Sequence, residues 1–234
     1  MLFKKNGIYD IDSWFEFAPP MGAEKQWRDG RSAKELARYM TANFPYVPTE
    51  IEDTLSDFTT PDAEFDWNGE YVTDLAKYNL GRGEGRNHDA FMWNKDVVVG
   101  IEGKADESLG SQLIGDAITG ATDNKMHRMR GMIKMLFGDE PENHKNIRYQ
   151  LVTATAATLL EAKKHKVNNA LVLVLVFKKQ GCFSEQKIAS NNADIENFLL
   201  ETSAVKCEKY YSIPTVFGKE NNINLYFKKI EFDV

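Results

Sequence analysis

The sequence has few residues of the kinds that build a disulfide framework, a zinc site or a membrane span. Cys182 and Cys207 are the two cysteines in 234 residues, and their separation does not fit zinc-ligand spacing. The longest apolar run, residues 170–177, is eight residues long, which is far short of a transmembrane helix. The N-terminal segment MLFKKNGIYD has no apolar signal core. We therefore expect a cytoplasmic protein with reduced cysteines and no membrane partner.

The chain also lacks the broad basic character of a protein that coats nucleic acid, since its net charge is −6 and its pI is about 5.4. This balance does not exclude a nuclease, because metal-binding carboxylates are themselves acidic. One basic cluster, residues 125–130 with Lys134, follows the candidate site described below. Within it, Arg128 and Arg130 are candidates for contact with a phosphate backbone, although such clusters are more often solvated helix faces.

Length and patterning predict one domain over residues 1–234, because no linker, repeat or low-complexity tract interrupts the chain. Residues 1–30 are expected to be an irregular arm. The order of predicted elements indicates an α/β fold with a layered core, in which helices flank a mixed β-sheet. Residues 170–177 suit a central strand buried on both faces.

Three further elements are predicted from local signals. Ser32 and Glu35 form a capping-box pattern that begins a helix running to about residue 43. A helical stretch is expected over residues 111–137, with a break near Gly120 or Gly131. The C-terminal segment is predicted to be a hairpin, with strands over 213–217 and 223–232.

The most informative segment is residues 85–110, GRNHDAFMWNKDVVVGIEGKADESLG. Two apolar runs flank a polar turn, and a two-residue loop at Lys95 and Asp96 would pair residues whose numbers sum to 191. Asp89 then lies opposite Glu102. Because side chains alternate along a strand, Glu102 and Lys104 share one face.

Two carboxylates about 5 Å apart repel by roughly 3 kcal/mol at an effective dielectric of ~20, so this placement needs a balancing positive charge. Lys104 is one source, and a hard divalent cation such as Mg²⁺ is another. A carboxylate pair with a lysine and Mg²⁺ is a chemistry suited to phosphodiester hydrolysis.

This arrangement resembles the PD-(D/E)XK nuclease superfamily, which has the restriction-endonuclease-like fold. Asp89 matches the first acid, and Glu102-Gly103-Lys104 matches the Asp/Glu-x-Lys half, while His88 stands where the motif's proline would be. The resemblance implies that Asp89 and Glu102 bind Mg²⁺ or Mn²⁺ with the Gly103 carbonyl, and that Lys104 is catalytic. It is specific over residues 84–112 and architectural elsewhere, with an opening similar to that of bacterial proteins of this type.

Several roles remain open at this point. Glu35 and Glu84 compete to supply a further acidic group, with helix capping the simpler role for Glu35. The side chain of Gln112 is a candidate for substrate binding, and Arg148 and Gln150 are weaker ones. His88 is expected to have a structural role on the face opposite Asp89, and the other histidines are expected at the surface.

The sequence therefore predicts a Mg²⁺-dependent endonuclease that acts on nucleic acid, with DNA as the favoured substrate and Asp89, Glu102, Lys104 and Glu84 as catalytic residues. One alternative is a nuclease-like fold retained as an inert binding or scaffold module. Another is a nuclease for RNA or for structured DNA. A homodimer is also left open.

Overall fold

A computed structural model describes residues 1–83, 85–105, 107–178 and 185–233. The strands are β1 (Leu2–Phe3), β2 (Glu64–Thr73), β3 (Arg86–Trp93), β4 (Val98–Lys104), β5 (Asn169–Lys178), β6 (Val205–Lys206), β7 (Tyr211–Ile213) and β8 (Asn224–Asp233). The α-helices are α1 (Ile11–Phe17), α2 (Ser32–Thr41), α3 (Thr49–Leu55), α4 (Ile114–Ile118), α5 (Asp123–Phe137), α6 (Tyr149–His165), α7 (Glu185–Glu201) and α8 (Val216–Asn221).

The strands form one mixed sheet in the order β1-β2-β3-β4-β5-β8-β7-β6. The centre of the sheet is parallel, because β5 pairs in parallel with both β4 and β8. The β2–β3–β4 segment and the β8–β7–β6 segment are antiparallel. The predicted α/β fold, with helices around a mixed sheet and a buried central strand, is confirmed.

The hairpin between β3 and β4 has the predicted register as far as Ala90 and Ile101, while the expected pair of Asp89 with Glu102 is not among the paired residues. Ala90 pairs with Ile101 and Trp93 pairs with Val98, and the amide of Asn94 donates to the carbonyl of Val97. The side-chain oxygen of Asn94 also accepts from the amides of Asp96 and Val97. This short polar turn therefore fixes the register that brings the start of β3 close to the end of β4.

Each face of the sheet carries its own hydrophobic core. Helices α5, α6 and α7 cover one face, where Met132, Leu151 and Phe198 are buried. Helices α1, α2 and α3 cover the other face, where Trp14 and Leu36 are buried. The two faces place β4 and β5 in the interior, as continuous apolar strands require.

Close contact between α6 and β4 depends on Gly100. A Cβ atom at this position would lie 2.3 Å from Oγ1 of Thr158 and 3.0 Å from the ring of His88. A glycine there allows α6 to lie directly over β4. The first turn of α6 consequently reaches the end of β4.

The predicted irregular arm over residues 1–30 is wrong. The segment contains β1, α1 and a 3₁₀ turn at Ala23–Lys25, and the ring of Trp14 lies 5.6 Å from that of Trp67 between centroids. The sequence signal for α1 is its N-cap residue, Asp10, whose side chain accepts a hydrogen bond from the amide of Ser13.

Two other element predictions need correction. The C-terminal segment is not a tight hairpin, because α8 separates β7 from β8, with the Thr215 side chain capping the helix. The expected capping box of Ser32 does not form, and Arg31 is the N-cap residue of α2. The 111–137 stretch is divided into α4 and α5 around Gly120, which was one of the two expected break points.

Two further observations concern membrane-spanning helices and disulfides. In the ranges described above, no helix is long and apolar enough to cross a membrane. Cys207 forms no disulfide with any residue of those ranges, and Cys182 lies outside the described residues.

Candidate active site

The predicted acid and lysine meet where β3 begins and β4 ends. The ammonium of Lys104 lies 3.8 Å from a carboxylate oxygen of Asp89 and donates to the carbonyl of Gly103 at 2.8 Å. The same Asp89 oxygen accepts from the amide of Gly103 at 2.8 Å. Lys104 is only 4% exposed, so its charge is held inside the protein next to Asp89.

Glu102 is buried beside this pair and is held by two donors. Its carboxylate accepts from the Arg86 guanidinium at 2.5 Å and from the Gln150 amide at 2.9 Å. Nδ1 of His88 lies 3.5 Å from the same carboxylate. β3 thus supplies Arg86 and His88, while α6 supplies Gln150.

The position of His88 corrects the sequence prediction. Strand alternation would place it away from Glu102, but its buried ring lies 5.4 Å from that of Phe91 and close to Gly100. The pairing of β2 with β3 skips Glu70 and Asp89, and Glu70 has a left-handed backbone with φ of 46°. This local irregularity interrupts the alternation and turns His88 toward Glu102.

A third carboxylate, Glu70, belongs to the same group. It accepts a hydrogen bond from the side-chain amide of Asn87. Desolvation, reinforced by the charge of Asp89, raises the pKa of Glu70 to about 7. Glu70 was missed in the sequence because its place depends on the pairing of β2 with β3, which no local pattern specifies.

The two motif carboxylates have opposite electrostatic environments. Desolvation raises the pKa of Asp89, with Lys104 opposing the rise and Glu102 adding to it. Desolvation would also raise the pKa of Glu102, but the charge of Arg86, together with His88 and Lys104, outweighs it and holds that pKa below its ordinary range. Glu102 is therefore an ionised partner of Arg86, while ionisation of Asp89 is penalised. Such opposed shifts in one cluster are typical of functional sites.

Buried polar atoms without a hydrogen-bond partner also concentrate here. They include Oγ1 of Thr73, Nε of Arg86, Oδ1 of Asn87 and both ring nitrogens of His88. Buried polar atoms in folded proteins are normally paired, so a group of exceptions calls for an explanation. These atoms are buried, so a substrate would reach them only after the side chains around Glu102 move.

A cavity of about 320 Å³ adjoins this cluster, lined by Arg86, Gln112, Arg128 and Gln150 among others. Two of the predicted substrate-binding residues, Gln112 and Arg128, therefore lie at the same cavity. Arg130 does not line it and instead lies 3.6 Å from Glu140.

The two candidates for a further acid have different outcomes. Glu35 is buried and accepts from the Gly30 amide at 2.6 Å and from Arg38 at 2.9 Å, so it stabilises the start of α2. Glu84 lies outside the described residues. The other histidines are not uniformly at the surface, because His144 is 9% exposed and bonded to Glu201 at 3.0 Å.

The donor types at the site fit a hard divalent cation, since carboxylate and carbonyl oxygens are the ligands that Mg²⁺ prefers. Burial, with a smaller contribution from neighbouring carboxylates, raises the pKa values of Glu70 and Asp89, and a bound cation would favour their ionised forms. Two features count against a preformed site. Arg86 and Gln150 engage the Glu102 carboxylate, and within the described part of the chain no three His, Cys, Asp or Glu residues are grouped closely enough to hold a metal.

Comparison with known proteins identifies the family and gives no activity. Residues 8–232 match the family model described as a domain of unknown function, DUF6946. The chain belongs to this family. No curated protein matches the chain, and no solved structure matches it. The family match runs from α1 into β8 and leaves out only the last residue of that strand, so the hairpin and its charged cluster lie within it.

Arg86 was also missed, and Gln150 was rated only a weak candidate. Arg86 could have been noted from its position three residues before Asp89, because a cation there can reach a carboxylate on the adjacent strand. Gln150 lies 48 residues beyond Glu102, and its contact depends on how α6 crosses β4.

Proposed function

We propose that this protein is a metal-dependent phosphodiesterase that cleaves DNA, most simply as an endonuclease of the PD-(D/E)XK type. The observation that carries the proposal is the buried Lys104 ammonium, 3.8 Å from Asp89 and on the same strand as Glu102. These groups lie at the carboxyl end of β4, which is parallel to β5. In open α/β sheets, ligands bind outside the carboxyl ends of the strands.

Asp89 and Glu102, with the Gly103 carbonyl, would hold Mg²⁺ or Mn²⁺. When bound, the ion would supply Lewis-acid polarisation of the phosphate and lower the pKa of a water molecule. For Glu102 to take part, Arg86 must first release it.

Lys104 has the position and charge to orient an attacking water and to stabilise negative charge that grows on the phosphate. Its ammonium has three donors, and one of them is bound to the Gly103 carbonyl. Its burial excludes bulk water, which strengthens its interaction with a developing anion. Arg86, once released from Glu102, can pair with a phosphate oxygen.

Cleavage of plasmid and of circular single-stranded DNA in the presence of Mg²⁺ or Mn²⁺ tests the proposal. We expect Lys104→Ala and Asp89→Asn to lower the rate by at least about 100-fold, as removal of one electrostatic stabiliser does in other enzymes. Lys163→Ala is a matched control. Glu161-Ala-Lys163 has the same spacing as Glu102-Gly103-Lys104 but lies in the last turn of α6, away from the candidate site. Equal cleavage by wild type and the two site variants would reject the assignment.

The competing proposal is an inert nuclease-like fold that acts as a binding or scaffold module. It is favoured by the acidic net charge and by the engagement of Glu102 with Arg86. Titration calorimetry with Mn²⁺ separates the two proposals. The nuclease is expected to bind the ion and to lose that binding in Glu102→Gln, whereas the inert module should show no binding that this substitution removes.

RNA in place of the plasmid tests the remaining alternative.

A further inference from the structure

The cavity beside the carboxylates connects directly to them. Arg86 and Gln150 line its wall, and both donate hydrogen bonds to Glu102. The start of β3, the middle of α5 and the first turn of α6 contribute to the same wall. A molecule in this cavity would therefore be separated from Glu102 only by the side chains of Arg86 and Gln150.

The wall combines a flat aromatic surface with cations. Tyr149 is partly buried there, and Leu75 and Met21 add apolar surface, with Met21 80% exposed. Arg86 and Arg128 line the cavity, and the ammonium of Lys125 lies 5.8 Å from the centre of the Tyr149 ring. Aromatic surface beside arginine and lysine is the combination that binds single-stranded nucleic acid.

Two of the polar atoms without partners belong to residues of this wall. They are Nε of Arg86, a donor, and Oδ1 of Asn87, an acceptor. The Arg86 side chain is 15% exposed. Both atoms are buried, so the cavity offers a ligand charge and aromatic surface, and these two atoms only after their side chains move. Its volume of about 320 Å³ lies at the lower end of the range for small-ligand pockets.

We propose that this cavity binds one unpaired nucleotide of the strand to be cut, with its base against Tyr149 and its phosphate at Arg86 and Arg128. The inference rests on the proposed nuclease function and names its substrate class. A base inside a duplex is paired and stacked, so it cannot enter a cavity without being extruded. The favoured substrate is therefore single-stranded DNA, or duplex DNA with an unpaired end.

Binding measurements separate this inference from cleavage. Fluorescence anisotropy is measured with a labelled 12-nucleotide single strand and with a blunt duplex of the same sequence. Each is measured in EDTA and in Ca²⁺, so that no hydrolysis is needed. We expect the single strand to bind at least about tenfold more tightly than the duplex, the magnitude of one base–aromatic stack.

The variant Ser111→Trp tests the location, because Ser111 is exposed and lines the cavity. An indole there should fill the cavity without disturbing the core, and should weaken single-strand binding by at least about tenfold. Glu142→Trp places the same side chain at an exposed position outside the cavity and should leave binding unchanged.

Equal affinity for single strand and duplex would overturn the inference, as would unchanged binding in Ser111→Trp or the absence of binding to either DNA. A protein that prefers single strands through this cavity but cuts no DNA with Mg²⁺ or Mn²⁺ would support the binding site and reject the proposed nuclease activity. The two failures are thus distinguishable.

Discussion

At the scale of single residues, the clearest stabilising charge lies outside the candidate site. Glu161 is 1% exposed and accepts from Tyr71 at 2.9 Å and from Lys164 at 2.8 Å. Desolvation would raise the pKa of Glu161, but the nearby His165 ring and the hydrogen bonds from Lys164 and Tyr71 outweigh it and lower that pKa to about 2. The folded state therefore favours the ionised carboxylate.

The sign of the pH dependence follows from this depressed pKa. Stabilisation by Glu161 is fully present above its unfolded pKa of 4.5 and is lost as the pH falls from there to about 2. We expect Glu161→Gln to lower the free energy of unfolding by about 1–3 kcal/mol at pH 7, and by little near pH 2. Urea titrations at several pH values measure this, with exposed Glu220→Gln as control. A constant difference at every pH would contradict it.

Which residues of the site could be predicted depended on how far apart in the sequence the contacting residues lie. Asp89 and Lys104 were found because one hairpin joins them, and the turn at residues 94–97 fixes its register. Glu70 and Gln150 come from β2 and α6, so their contacts depend on long-range packing. His88 was misplaced because strand alternation fails where Glu70 takes a left-handed backbone.

At the scale of elements, α1 is the part of the chain that the sequence described least well. Trp14 is 1% exposed and lies against Gly69 of β2, where a Cβ atom would approach its ring to 2.5 Å. The indole thus fills a space that only glycine leaves open on the strand. This packing attaches the N-terminal segment to the sheet.

We expect Trp14→Ala to lower the free energy of unfolding by about 3–5 kcal/mol, because it removes a fully buried indole. Phe17→Ala is the matched control, since Phe17 belongs to the same helix but is 60% exposed. Its effect should be within about 0.5 kcal/mol. Guanidinium denaturation measures both variants. Similar small effects would mean that α1 does not pack on the sheet in solution.

The other elements show which sequence patterns predict secondary structure correctly. The continuous apolar run at residues 170–177 identified β5, because a strand buried on both faces has no polar alternation. The C-terminal hairpin failed because the segment between two β-like runs is itself a short helix, capped by Thr215. A six-residue helix has too few turns to show a clear periodicity.

At the scale of the whole molecule, charge limits how this protein can bind DNA. The chain is acidic overall, with a net charge of −6, so its general field repels a polyanion. Cations near the cavity, Arg86, Arg128 and Lys125, are local exceptions. Binding through them should involve few phosphates.

The salt dependence of binding measures this number. Three phosphate contacts on a single strand predict that log K falls with log[salt] with a slope of about −2. Anisotropy titrations between 50 and 300 mM KCl, with the Arg128→Gln variant beside the wild type, give the slope directly. Loss of one contact should make it shallower by about 0.7. A slope steeper than about −6, unchanged in Arg128→Gln, would mean that DNA binds to a large basic surface elsewhere on the protein.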